Sequence, residues 1–144
     1  EIEVILAHEF AHYRLRHLWK LVIFNSGVTI ILFYLIFKTS NLALNIFGLN
    51  SLREFAALPV VLIYFMLFGL ITQPVGNFFS RKLEKNADKM ALEVTGKKEA
   101  FVSMMNKLAE QNLSDRNPHP IIKFFFFDHP PIDERISLGG EYNA

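Results

Sequence analysis

The sequence predicts a mainly α-helical protein organised around an integral membrane helical hairpin. The first observation behind this prediction is a pair of long runs without a charged residue, 21–37 and 55–79. The second is the apolar content: hydrophobic residues make up 51% of the 144, and the mean hydropathy is +0.25, which is high for a soluble protein. The third is the helical spacing of apolar residues at the start of the chain.

Residues 1–20 are predicted to form one amphipathic helix. Ile2, Ile5, Leu6 and Phe10 recur at helical spacing, and no Gly or Pro interrupts the segment. These four residues form the apolar stripe of the predicted helix.

The two uncharged runs are predicted to cross a membrane. At 1.5 Å per residue, residues 21–37 span roughly 25 Å, the short end of a membrane crossing. Pro59 and Gly69 in the second run are tolerated inside membrane helices. A polar connector, 38–54, separates the runs. The alternative is a pair of buried core helices, but two such runs exceed what a soluble core of this size needs.

Residues 80–144 are predicted to form a soluble, mostly helical part. Ser80 is expected to cap a helix that ends at Gly96, and a second helix should follow over about residues 98–112. The tail opens with turn residues, and a short helix is expected near residues 132–138.

The distribution of positive charge predicts the side of the membrane. A hairpin returns the chain to the side it left, so residues 1–20 and 80–144 should share one side. Cations favour the cytoplasmic side of membrane segments, which predicts that both parts are cytoplasmic. The flanking cations are Arg14, Arg16, Lys20, Arg81, Lys82 and Lys85, against Lys38 and Arg53 in the connector.

The motif HEFAH, from His8 to His12, predicts a zinc site. Four helical residues turn the chain by about 400°, so both imidazoles project from one face, one turn apart, and can share a zinc ion. Glu9 is too close in sequence to join them as a ligand, but it is placed to accept a proton from a zinc-bound water. The motif therefore predicts a zincin-type metalloprotease helical site with one Zn²⁺ per chain. The alternative is two histidines on a polar helix face.

A catalytic zinc ion usually has three protein ligands, so a third is expected elsewhere. The metzincin motif, which would need Gly at position 15 and His at position 18, is excluded because both positions are Leu. We expect Glu84 to be the third ligand, and Asp88, one turn on, to accept the other N–H of a zinc-bound imidazole. Glu93 is a weaker candidate. The alternative is an exposed charged face, with nearby lysines as partners.

Two further histidines receive predictions. His17 lies nine residues after His8, about 180° round a helix, so we expect it to face away from the metal as a surface or membrane-interface residue and not as a ligand. His129, fixed by Asp128 and two prolines, could donate to the oxyanion of a reacting peptide or cap the tail helix.

Other features of the tail have structural interpretations. We expect the four phenylalanines 124–127 to pack in the core, with the membrane interface as the alternative. Glu134 and Arg135 are expected to be a structural ion-pair element, and His119 to lie in a turn. The chain has no Cys, which excludes thiolate sites, and a net charge of +1, which gives no field for nucleic acid.

Four ordered blocks resemble the M48 metallopeptidases. VILAHEFAHYRLRH is similar to that family's zinc helix, two membrane segments precede SRKLEKNAD, and HPPIDERI is similar to its C-terminal signature. Within the family, NLSDRNPHPIIKFFFFDHPPIDERI is most similar to the CAAX prenyl protease type I branch, the Ste24-like membrane proteases.

This resemblance implies a residue set and a substrate. Zinc would be held by His8, His12 and Glu84, with Glu9 as general base and Asp88 supporting a ligand. His129 would help to hold the substrate or the oxyanion. In the family the substrate peptide lies as an added strand beside the zinc, and eukaryotic members cleave prenylated C-terminal tails. This chain departs from the family in having Ala11 where Gly is frequent.

The leading hypothesis is thus a membrane-embedded zinc endopeptidase. An HtpX-like quality-control protease is the alternative within the same chemistry, and an inactive membrane scaffold is the alternative outside it. The expected partners are the bilayer and a peptide or membrane-protein substrate, prenylated or not, in a bacterial inner or ER-type membrane. Because the first residue is Glu and not Met, we expect the chain to be part of a longer protein.

Overall fold

The computed structural model describes residues 1–112 and 115–142 and is helical throughout those ranges apart from short connections. The helices are α1 (Ile2–Arg14), α2 (His17–Phe47), α3 (Leu58–Thr95), α4 (Lys98–Asn112), α5 (Pro120–Phe126) and α6 (Ile132–Glu141), with a 3₁₀ turn at Phe55–Ala57 before α3. The mainly α fold class is confirmed. The chain divides into two compact units, residues 21–73 and residues 1–20 with 74–144.

The first unit contains the first predicted membrane segment and most of the second, up to residue 73. The most apolar stretch of α2 has a mean hydropathy of 2.0, and that of the helix ending at Thr95 has 2.4. Only 11% of each stretch is buried. A core helix of a soluble protein would be mostly buried, so the low burial argues against the core-helix alternative. Inside this unit, Thr39 Oγ1 lies 2.6 Å from the hydroxyl of Tyr64, and Phe33 packs edge-on against Phe65.

Several predicted boundaries were wrong because the membrane helices are longer than the uncharged runs. α2 continues to Phe47, through much of the predicted polar connector. α3 runs without a break past Ser80, which therefore caps no helix. The end of α3 was predicted correctly, since Gly96 follows it with φ +61°, a conformation that glycine adopts without strain. The turn predicted to open the tail begins at Ser114, outside the described residues.

The second unit is built around a small apolar core. Phe101 and Met105 of α4 are fully buried, as are Val4 of α1 and Leu92 of α3, and Ile132 of α6 completes the cluster. Helix α6 approaches α4 closely at Gly139, where a Cβ would lie 2.9 Å from the Phe101 ring. This packing holds α1, the last part of α3 and α6 together.

The buried face of α1 is not the predicted one. Ile2, Ile5, Leu6 and Phe10 are all exposed, and Val4 and Ala11 are buried instead. Val4, His8 and Ala11 lie at spacings of four and three, so they share one helix face. The face that enters the core is therefore the one that carries the histidines.

Candidate metal centre

The two histidines of the motif and Glu84 come together on one side of the second unit. His8 and His12 lie one turn apart on α1, and Glu84 lies on α3, 72 residues later in sequence. The Nε2 atoms of His8 and His12 are 3.1 Å apart. Glu84 Oε2 is 3.4 Å from His8 Nε2, and its Oε1 is 3.3 Å from His12 Nε2.

The donor set and its spacing fit a zinc ion. A tetrahedral zinc ion with ligands at about 2.0–2.1 Å separates neighbouring ligand atoms by about 3.3 Å. The two Nε2 atoms are 3.1 Å apart, and each lies 3.3–3.4 Å from a different oxygen of the Glu84 carboxylate; one ligand atom from each residue lies within 4.8 Å of the other two. Two imidazoles and one carboxylate are also the ligand set found in many zinc hydrolases. Glu93, the weaker candidate, is exposed and stands outside this cluster.

Asp88 supports His8 from behind. Its carboxylate is fully buried, and Oδ1 lies 3.0 Å from His8 Nδ1, the ring nitrogen that faces away from Glu84. The sequence predicted that Asp88 would accept an N–H of a ligating imidazole, and the structure places it next to the Nδ1 of one of the two candidate ligands. Burial alone would lower the pKa of His8, but the carboxylates of Asp88 and Glu84 outweigh it and raise that pKa to about 9.

Arg135 holds Asp88 in turn. Its Nε donates to Asp88 Oδ2 at 2.7 Å and its Nη2 donates to Oδ1 at 2.6 Å. Both side chains are buried, so the charge of the carboxylate is matched inside the protein. The predicted structural ion pair was correct for Arg135, but the partner is Asp88. Glu134 pairs separately with Lys123 on the surface. A buried Arg requires a carboxylate, but the burial of Arg135 is known only from the tertiary structure, so no signal in the sequence indicated this partner.

His17 was predicted to face away, and this prediction was wrong. Its side chain is 1% exposed, and its Nδ1 lies 3.1 Å from His12 Nδ1. The physical reason is a break between α1 and α2: Arg16 adopts φ +55°, so the rotation of a single helix does not extend from His8 to His17. No sequence signal indicated this break, since Arg rarely adopts a positive φ.

His129 lies beside the cluster on the exposed side. Its Nε2 is 3.8 Å from Glu84 Oε1, and its Nδ1 is 2.9 Å from Asp128 Oδ1. Burial would raise the pKa of Asp128, but the hydrogen bond with His129 outweighs it and lowers that pKa. The tail helix starts at Ile132 with Pro131 at its N-cap position and no side-chain cap, so His129 does not cap it. His119 takes a capping position instead: its Nδ1 accepts from Ile121 N at the start of α5.

Arg81 anchors the segment that leads to His129. Its Nη1 donates to the carbonyls of Lys123 and Phe127, and Asn77 donates to the carbonyl of Phe125. The carbonyl of Lys123 also accepts from the backbone N–H of Phe127, so these bonds add side-chain donors to the last turn of α5 and the residue that follows it. Phe124, Phe125 and Phe126 are exposed, so the expectation that they pack in the core was wrong.

A cleft of about 740 Å³ opens beside the cluster, a size suited to a small ligand or a few peptide residues. His8, Glu9, Glu84 and His129 lie along it, so two of the expected metal ligands and the two residues expected to act on a substrate face one cavity. The side chain of Glu9 is exposed, as a group that exchanges protons with water must be. The apolar part of the wall includes Met104, Met105, Leu108, Phe126, Phe127 and Ile132.

Comparison with known proteins gives this arrangement a family. The model of peptidase family M48 matches residues 1–138. The chain belongs to peptidase family M48. The resemblance noted from the sequence motifs is thereby confirmed, and the Ste24-like branch is supported by the relatives below.

This M48 chain is similar in sequence to three proteases with different names. An uncharacterised metalloprotease of Bacillus subtilis, YhfN, is 34% identical over 140 residues, covering 94% of this chain and 33% of the relative. CAAX prenyl protease 1 of Saccharomyces cerevisiae is 30% identical over 156 residues, covering 95% of this chain and 34% of the relative. Protease HtpX of a Shewanella species is 25% identical over 152 residues, covering 95% of this chain and 53% of the relative.

A solved structure extends the comparison. The crystal structure of Ste24p from S. mikatae matches with a TM-score of 0.75 and 28% identity, covering 99% of this chain and 36% of the other. The M48 chain thus spans about a third of the length of the first relatives it matches and of this solved protein.

Proposed function

We propose that this M48 chain carries the zinc site of a membrane-embedded metalloendopeptidase. The observation that supports the proposal best is the grouping of His8, His12 and Glu84, which offer one ligand atom each within 4.8 Å of one another, with the two Nε2 atoms 3.1 Å apart. Glu9 lies next to a ligand on the same helix and lines the same cleft. The names of the relatives support protease chemistry.

Each residue of the site is proposed to have a separate role in hydrolysis of the peptide bond. A zinc ion held by His8, His12 and Glu84 would supply a Lewis acid that could polarise the scissile carbonyl and make water more acidic. Glu9 takes the proton from the attacking water and passes it to the leaving nitrogen. His129, at the edge of the cluster, donates to the carbonyl oxygen as negative charge develops on it. The cleft holds the peptide, and its apolar wall accepts apolar side chains.

The primary experiment compares the full-length protein with its Glu9→Gln variant. Zinc content and cleavage of a peptide library are measured for both, with Glu93→Gln as a control for the loss of an exposed carboxylate. The proposal predicts that Glu9→Gln retains zinc and loses at least about a hundredfold in kcat, in line with the usual contribution of a general base. Equal cleavage by both proteins would overturn the mechanism.

The third ligand is tested separately. Glu84→Ala should lose zinc, and Glu93→Ala should retain it, because only Glu84 faces both imidazoles. Full zinc retention in Glu84→Ala would exclude Glu84 as a ligand. The matched pair also guards against a general effect of removing a carboxylate from α3.

The substrate is proposed to be a peptide segment of a protein at the membrane. The names of the CAAX prenyl protease relatives favour a prenylated tail, whereas the name of the HtpX relatives specifies no prenyl group and leaves an unmodified peptide segment as the alternative. Cleavage of one peptide with and without a farnesyl group distinguishes them. A kcat/KM at least tenfold higher for the farnesylated peptide supports the first assignment, and equal values support the second.

The site is proposed to lie on the cytoplasmic side, with residues 80–144 as the cytoplasmic part of the M48 domain. The cations at the ends of residues 1–20 and at the start of residues 80–144 carry this proposal. This chain has no cysteine, so single-cysteine variants can be labelled from one side. In a background without other cysteines, Lys85→Cys should be protected from an impermeant maleimide in intact cells, and Asn50→Cys should be labelled. The reverse pattern would overturn the orientation.

A further inference from the structure

His17 has a position that packing does not explain. It is buried, and its Nε2 has no hydrogen-bond partner among the described residues. A buried polar atom without a partner is unfavourable, so the imidazole would be a poor choice for filling space. The contact that its ring does make is with His12, at 3.1 Å between the two Nδ1 atoms and with the rings nearly perpendicular, at 88°.

The two ring nitrogens of His12 have different neighbours. Nε2 points to the cluster, 3.1 Å from His8 Nε2 and 3.3 Å from Glu84 Oε1. Nδ1 points to His17, and no other hydrogen-bond partner for it is found in the described part of the chain. A neutral imidazole carries one proton, on one of the two nitrogens. If Nε2 is to bind a metal ion through its lone pair, that proton must lie on Nδ1.

A hydrogen bond between two imidazole nitrogens needs one donor and one acceptor. With its proton on Nδ1, His12 is the donor and His17 Nδ1 is the acceptor. The proton of neutral His17 then lies on Nε2, the buried atom without a partner. The contact and the metal-binding tautomer of His12 are thus mutually consistent.

We propose that His17 is a positioning residue for the metal ligand His12: it accepts the Nδ1–H of His12, and so fixes the tautomer and the ring orientation that leave Nε2 free for the metal. Asp88 has the corresponding place behind His8, 3.0 Å from its Nδ1. The two ligands of one helix therefore have different supports, a carboxylate for His8 and a neutral imidazole for His12. This inference rests on the proposed metal site.

His17 is not a fourth ligand in this arrangement. Its Nδ1 faces the nitrogen of His12 that points away from the cluster, and the group of atoms spaced to hold a metal comprises His8, His12 and Glu84. Partners that orient a ligating imidazole commonly change metal affinity by about 10–100-fold when removed. The effect expected for His17 is therefore on affinity and on coordination geometry.

Two substitutions separate positioning from packing. His17→Leu keeps an apolar volume and removes the acceptor. His17→Asn shortens the side chain but places a carbonyl oxygen where Nδ1 was, so it can accept the same hydrogen bond. Leu18→Ala, at the exposed neighbouring position, is the control.

The readout is the Zn²⁺ dissociation constant of the full-length protein, measured by competition with a chromophoric chelator. The Leu variant should bind zinc about 10–100-fold more weakly, and the Asn variant should return to within about threefold of the wild type. The Co²⁺-substituted Leu variant should also show an altered visible spectrum. Equal affinities for all variants would overturn the inference, as would an Asn variant as weak as the Leu variant.

A measurement on the wild type covers the case in which the Leu variant does not fold. In the zinc-loaded protein with ¹⁵N-labelled histidine, NMR should show His12 protonated at Nδ1 and His17 unprotonated at Nδ1. A protonated Nδ1 on His17 would overturn the inference. A wild type that binds no zinc would overturn the proposed metal site as well, whereas zinc binding with unchanged His17 variants overturns the role of His17 alone.

Discussion

Asp88 and Arg135 form a buried ion pair through two hydrogen bonds of 2.6 and 2.7 Å, and the same carboxylate lies 3.0 Å from His8. The pair joins α3 to α6, and the contact with His8 adds α1. The support of a candidate metal ligand and the packing of the second unit therefore depend on one group.

Removing Arg135 should destabilise the protein and weaken metal binding together. Arg135→Met leaves a buried carboxylate without its counter-charge, which typically costs about 3–5 kcal/mol in the free energy of unfolding. The change is measured as a lower Tm of the solubilised protein and as lower zinc content. Glu134→Gln, which removes an exposed ion pair on the same helix, should cost less than about 1 kcal/mol. Similar Tm values for the two variants would contradict the assignment.

Arg81 should affect catalysis without affecting the metal. Arg81→Met removes the donor to the carbonyls of Lys123 and Phe127, and so releases the segment before His129. A misplacement of about 1 Å near a reacting centre can cost about a hundredfold in rate. We expect kcat to fall about 10–100-fold at unchanged zinc content, whereas the exposed neighbour Lys82→Met should match the wild type. Loss of zinc in Arg81→Met would show that its role extends to the metal site.

The close approach of α6 to α4 predicts a difference between adjacent glycines. A Cβ at Gly139 would lie 2.9 Å from Phe101 and 3.2 Å from Val102, and the ring of Phe101 is fully buried and has little room to move. Gly139→Ala should therefore lower the free energy of unfolding by about 1–3 kcal/mol. Gly140→Ala meets no atom within 4 Å, and alanine favours helices, so it should be neutral or stabilising. Thermal unfolding of the two variants tests this order.

Metal affinity should depend on pH through His8. Its pKa in the metal-free protein is raised to about 9, so the imidazole is protonated at neutral pH. A metal ion must displace that proton, because the ligand is neutral imidazole. Affinity should therefore rise as the pH increases towards about 9, and fall at lower pH. Calorimetric titrations at pH 7 in buffers of different ionisation enthalpy should show about one proton released from His8 per zinc ion, and no proton release would contradict the prediction.

Much of the candidate site was accessible from the sequence because local spacing determines it. His8 and His12 share a face of α1 because four residues make about one helical turn, and Glu84 and Asp88 share a face of α3 for the same reason. The prediction for His17 failed because it extended a helix through Arg16, where the backbone turns to a positive φ. The stripe of Ile2, Ile5, Leu6 and Phe10 failed differently: periodicity identifies an apolar face but not whether that face is buried.

By itself, the sequence determined the helical class, the two apolar helices and the pairs of residues that face the same way. Hydropathy and helical periodicity are local properties, and they leave few alternatives over long segments. Only the tertiary structure decided that α1 and α3 meet so that Glu84 faces both imidazoles, that Arg135 neutralises Asp88, and that His17 turns back to His12. These contacts join residues on different helices, and their geometry depends on packing and on backbone breaks that no local pattern encodes.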